Sequence, residues 1–105
     1  MIILTEKEKD IFKQRLSDNM QMLRGKLGIS QAELAETIGV SRQTINSVEN
    51  CRQNMSWNLF TSLILFFLYN EDTKELLPVI MIDMQKIEDY LNTKRGDSEN
   101  AQRNT

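Results

Sequence analysis

Histidine is absent from this 105-residue chain, and cysteine and proline occur once each. Without an imidazole there is no histidine base, no histidine metal ligand and no histidine pH switch. A single Cys51 excludes an intramolecular disulfide and an all-cysteine zinc site. Asp83, Glu88 and Asp89 form a carboxylate group with no nucleophile, base or ligand set beside them, so they read as a solvated face. The expectation is a protein that is not an enzyme and needs neither metal nor cofactor. Long apolar runs are missing too. The longest, Leu59–Tyr69, is interrupted by Thr61 and Ser62 and falls short of the about 20 residues of a membrane span. Met1–Leu4 is apolar for only four positions before the charged stretch Glu6–Asp10, too short for a secretory signal. These absences point to a soluble, cytoplasmic protein.

Four glycines, one proline and few β-branched runs leave little to break helices, so an all-α chain is expected. The hydrophobic fraction of 40% suffices for one modest core. Thr5-Glu6-Lys7-Glu8 fits a capping box, and Phe12, Leu16, Met20, Leu23 and Leu27 then recur on one helical face. Gly28 suits a left-handed stop. Ser30-Gln31-Ala32-Glu33 is a second capping box, opening a helix that ends at Gly39. Ser41 caps a third helix with Ile45 and Val48 inward. A fourth begins at Ser56 and is apolar around most of its circumference, which requires burial on more than one side. Asn70–Thr73 reads as a turn leading into 74–77. Ile80, Met84, Ile87 and Leu91 then repeat as a seam on a final helix. Polar residues 92–105 read as a frayed tail.

The most informative stretch is Gln31–Asn50, QAELAETIGVSRQTINSVEN. Small Ala35 permits a close helix crossing, Gly39 permits a tight turn, and Leu34, Ile38, Val40, Ile45 and Val48 fix the interhelical angle. This is the pattern of two helices joined by a short glycine turn, the second free to enter a major groove. Arg42, Gln43, Asn46 and Ser47 lie on the polar side of that second helix. Arginine can present a fork to guanine, and glutamine or asparagine can do so to adenine.

Leu23-Arg24, Gly28, Ser30-Gln31, Glu33-Leu34-Ala35, Gly39-Val40-Ser41-Arg42, Thr44-Ile45 and Glu49-Asn50 stand in one register. In these residues the chain resembles the phage-repressor (Xre/Cro) family of helix-turn-helix regulators, over about 23–68. The resemblance implies a five-helix repressor-like domain that binds double-stranded operator DNA, usually as a dimer on a pseudo-palindromic site. It implies base contacts from Gln43 and Ser47, with Asn46 on the same exposed side as a further base contact and Arg42 reading a base or holding a phosphate; phosphate contacts fall to Gln31, Ser41 and Arg52, and Thr44 makes a phosphate or a packing contact. It also implies a structural salt bridge between Arg24 and Glu49. Cys51 stands where relatives carry a glycine, and the bulky run from Trp57 exceeds the family pattern and points to extra burial.

Residues 1–12, 13–53 and 54–105 carry net charges of −1, +2 and −3, which sum to the −2 of the whole chain. The slight positive excess falls on the segment expected to meet DNA. The resulting expectation divides the chain into a DNA-binding domain (1–70), a helical extension (71–94) and a flexible tail (95–105). The extension would dimerise through Phe66, Phe67, Ile80, Met84, Ile87 and Leu91. The expected activity is that of a homodimeric repressor. The alternative is an antitoxin or other protein-binding module whose C-terminal helices grip a partner protein.

Overall fold

Every long helix opens on a side chain that can accept from the backbone, and this sets the boundaries in the computed structural model, which describes residues 3–92. Helix α1 (Glu6–Leu27) starts with the Thr5 capping box: Glu8 N–H donates to Thr5 Oγ1 at 3.1 Å, and Thr5 N–H donates to Glu8 Oε1 at 3.0 Å. Ser30 and Glu33 repeat the device at α2 (Gln31–Ile38). Ser41 caps α3 (Arg42–Glu49) and Ser56 caps α4 (Trp57–Leu68). Each such cap satisfies backbone donors that the helix itself cannot, a contribution of about 1 kcal/mol.

The helix ends are equally local. After α1, Gly28 has φ +66°, Gly28 N–H donates to Gly25 O and Ile29 N–H donates back to Arg24 O. After α2, Gly39 has φ +91°, and Ala35 O accepts from both Gly39 and Val40. These are left-handed stops of the kind glycine adopts cheaply.

Past α4 the chain departs from expectation. Asn70–Thr73 is not a turn before a helix; Glu71–Lys74 is itself a helical turn, α5, followed by α6 (Leu76–Val79). Thr73 explains the tight join. It is fully buried, and its hydroxyl donates to the carbonyl of Phe67 at 2.6 Å, satisfying an acceptor at the end of α4. Pro78 sits in the first turn of α6, where its missing N–H is not needed. The expected seam from Ile80 to Leu91 is not one helix. Met81 takes φ +66°, Ile82 N–H donates back to Leu77 O, and α7 (Met84–Leu91) starts afresh on an Asp83 cap. Ile80 therefore belongs to the end of α6. Met81 is held by Arg15, whose Nη1 donates to its carbonyl at 2.7 Å. A left-handed non-glycine residue costs about 1–2 kcal/mol. Burying Ile82, at about 1.5–3 kcal/mol, offsets that.

The core is continuous across position 70. Phe12, Leu16, Met20 and Leu23 of α1 join Leu34, Ile45, Val48, Phe60, Leu63 and Phe67, and Leu77, Ile82 and Ile87 complete the same cluster. Phe67 and Ile87, expected on a dimer face, lie inside this core at 0% and 2% exposure and cannot meet another molecule. Most of the apolar surface of α4 is thus buried within one chain, with Leu59, Phe60, Leu63, Ile64 and Phe67 inward, while Leu65 stays exposed. Trp57 contributes as expected: it stacks on Phe60 at 4.8 Å and meets Tyr90 of α7 edge-on. Lys9 lies over both rings. The expected tail falls outside the described residues beyond Asn92. No described helix is long and apolar enough to cross a membrane.

Lys86 of α7 also pairs with Glu8 of α1. The Lys86 hydrogen bond, followed by the Thr5 backbone N–H, holds the Glu8 carboxyl below the usual carboxylate range. A carboxylate with a depressed folded value stabilises the protein above its unfolded value and loses that contribution as pH falls through the folded one. Glu8→Gln keeps the capping box, which glutamine also forms, but removes the charge. The variant is expected to melt below wild type at neutral pH, with the gap closing as pH falls below the ordinary carboxylate value of about 4.3. Thermal melts across that range check this; an undiminished gap in acid would refute it.

Candidate nucleic-acid interface

Helix α3 is fixed from one side and open on the other. Ile45 and Val48 are fully buried, whereas Arg42 and Gln43 are exposed and Ser47 is half-exposed. Gln43 and Ser47 are four residues apart and share a face of the helix, as do Arg42 and Asn46. Arg42 and Gln43 have no side-chain partner among the described residues. Arg42 occupies the first position of α3, where the helix dipole disfavours a cation. The fold gains nothing from a positive charge there, but a polyanion would.

What fixes α3 is a buried ion pair. Arg24 Nε and Nη2 donate to the two carboxylate oxygens of Glu49 at 2.6 and 3.0 Å. The Glu49 side chain is only 1% exposed. Arg24 Nη1 donates to Ile29 O at 3.1 Å, tying in the α1–α2 connection. The bond to Glu49 holds the guanidinium's pKa above its ordinary value, against the effect of burial. Gln31, at the first position of α2, adds a third donor to Glu49: its Nε2 lies 3.0 Å from Oε1. One carboxylate thus joins the end of α1, the start of α2 and the end of α3.

The network changes what two of the expected contact residues can do. Gln31 Nε2 also donates to Asn46 Oδ1 at 3.3 Å, so both amide hydrogens of Gln31 are engaged. Its side chain is not free for phosphate. Its backbone N–H is, because the first N–H groups of a helix have no partner within it. Asn46 Oδ1 accepts from Gln31 and from Asn50 Nδ2 at 3.0 Å, so the bidentate reading of adenine, which needs that oxygen, is not available in this arrangement. Asn50, which carries the resemblance but no site role in the sequence, holds Asn46 from four residues on. Ser41 and Thr44 are brought together, with hydroxyls 2.9 Å apart and Thr44 N–H donating to Ser41 Oγ.

Helix α3 ends left-handed at Cys51, φ +56°. Cys51 N–H donates to Val48 O, and Arg52 N–H reaches back to Ser47 O at 2.8 Å. The position where the resemblance implies a glycine thus takes the conformation glycine favours. The thiol is exposed, accepting from Gln14 Nε2 and lying 3.9 Å from Asp18 Oδ1. This turn projects Arg52 into solvent just past the recognition face.

Removing one member of a buried pair strands the other. Glu49→Gln leaves Arg24 without its counter-charge and is expected to lower stability by about 3–5 kcal/mol. Denaturant unfolding measures this, and a loss under about 1 kcal/mol would show that the pair does not hold α3.

A family model described as Helix-turn-helix matches residues 20–54, a third of the chain. No curated protein and no solved structure matches the chain. The matched stretch runs from the end of α1 through the Cys51 turn and contains the whole Arg24–Glu49–Gln31 network. Residues 20–54 therefore match a helix-turn-helix, and in them the chain is similar to the DNA-binding element of the phage-repressor (Xre/Cro) transcription regulators.

Proposed function

We propose that the protein is a cytoplasmic repressor that binds operator DNA as a homodimer, laying α3 of each copy in successive major grooves. The observation that carries this reading is the asymmetry of α3: its inner side is locked by core residues and Glu49, while Arg42, Gln43 and Ser47 stand outside with no side-chain partner among the described residues. In this reading Gln43 and Ser47 read base edges, and Arg42 reads guanine or holds a phosphate. Asn46 positions Gln31 and Asn50 instead of reading a base directly. The backbone N–H at the start of α2 binds phosphate, as helix N-termini do. The Ser41–Thr44 hydroxyl pair and Arg52 serve as further phosphate contacts.

Selection from random duplex DNA is expected to return two half-sites about one helical turn, or a multiple of it, apart. Gln43→Ala is expected to relax preference at one position per half-site, at about 1–3 kcal/mol. An unchanged motif would remove Gln43 from the reading surface. Arg52→Ala is expected to weaken all sequences alike and to lower the salt slope by about one or less. Binding titrations at several salt concentrations check this; a change in motif would overturn the phosphate role of Arg52.

A further inference from the structure

Ser17 breaks the rule that buried polar groups in a fold are paired. It is 8% exposed, yet its hydroxyl has no hydrogen-bond partner among the described residues. Thr73, the other buried polar residue described, donates to Phe67 O. A buried hydroxyl without a partner is unfavourable and calls for a reason.

The space beside Ser17 supplies one. Ser17 lines a cavity of about 260 Å³ between α1 and the turn that follows α3. That is several times the about 30 Å³ of a liquid water molecule, and close to the lower end of small-molecule sites. One wall is the stripe Asp10, Lys13, Gln14 and Ser17, whose spacing puts them on one face of α1. The other wall is Cys51 and the stretch Gln53–Met55. The side-chain amides of Gln53 and Asn54 also lack partners among the described residues.

We propose that this cavity binds a free α-amino acid with a small, uncharged polar side chain. The lining sets the class. Its charged groups among the described residues are one cation and one anion, Lys13 and Asp10, 3.2 Å apart. One charge of each sign selects a ligand that carries one of each sign. An ammonium has three donor hydrogens and a carboxylate two oxygens, so Lys13 and Asp10 can hold each other and a ligand group at once. Lys13 takes the ligand carboxylate and Asp10 the ligand ammonium. A phosphorylated ligand would call for more than one cation. A nucleobase would stack on an aromatic side chain, and none is among the described lining residues. The hydroxyl of Ser17 and the amides of Gln53 and Asn54 are neutral groups that both donate and accept, which suits a hydroxyl or amide side chain. Gln14 is spent as a donor, since its Nε2 already serves Asp18 and Cys51. A ligand bonded to both walls ties α1 to the turn that carries Arg52. The site does not depend on the DNA reading, because none of its lining residues is a proposed DNA contact.

Calorimetric titration of the full chain with serine, threonine, asparagine and glutamine tests the assignment. At least one is expected to bind with millimolar or tighter affinity. Propionate and ethylamine, which each carry one of the two charges, are expected not to compete. Cys51 lines the cavity and is the chain's one cysteine, so its alkylation by iodoacetamide reports occupancy and is expected to slow severalfold at saturation. Lys13→Gln is expected to weaken binding about tenfold by removing a charge-assisted hydrogen bond. Ser17→Ala is expected to weaken binding about tenfold yet to melt above wild type, because the unpaired hydroxyl is gone. Failure of all four amino acids to bind, or binding that Ser17→Ala leaves unchanged, would overturn the proposal. So would a Ser17→Ala variant that melts below wild type, since water would then already satisfy the hydroxyl in the empty protein.

Discussion

The architecture of the recognition element depends on one carboxylate. Glu49 is buried, and burying a charge is unfavourable unless donors replace its water. Here three donors from two other helices do so, and each carries a structural consequence. The two from Arg24 tie α3 to α1; the one from Gln31 ties it to the start of α2. Hydrophobic contacts at Leu34, Ile45 and Val48 hold the same helices together, but such contacts tolerate small rotations. Bidentate geometry does not. The ion pair therefore supplies orientation more than energy: it sets which residues of α3 face outward. Gln31 extends that constraint to Asn46, and Asn50 closes it on the far side.

Much of this could be read in the residues, and for identifiable reasons. The starts of α1 to α4 each carry a side-chain cap, and Gly28 and Gly39 mark two ends, so these four helices follow from local chemistry. The resemblance pairs Arg24 with Glu49, and the structure sets their side chains 2.6 Å apart. The Cys51 departure kept the left-handed turn because its two backbone hydrogen bonds and the packing of Val48 hold it there. What was not legible depends on contacts between elements. The hydrogen bonds that engage Gln31 and Asn46 cannot be seen in spacing, so both were given roles that their neighbours pre-empt. The spacing of Ile80, Met84, Ile87 and Leu91 mimicked one helix although a left-handed Met81 and a capping Asp83 divide it. Periodicity counts positions; it does not register a reversal between them. Likewise the apolarity of Phe67 and Ile87 told of burial but not of which surface covers them.

The same distinction changes how the charge should be understood. The segment 13–53 has six cations, but Lys13 pairs with Asp10, Arg15 holds the Met81 carbonyl and Arg24 is committed to Glu49. Among the described residues, Lys26, Arg42 and Arg52 are left in that segment without a side-chain partner. A slight positive excess in sequence is thus slighter still at the surface. Affinity that comes from neutralising phosphates scales with the number of cations free to do so. A reading head with three of them, on a body whose other half is acidic, draws little from that term. Under the proposed function, discrimination between sequences rests on the few side chains that α3 presents, which makes the rigidity imposed by Glu49 a requirement of selectivity and not merely of folding.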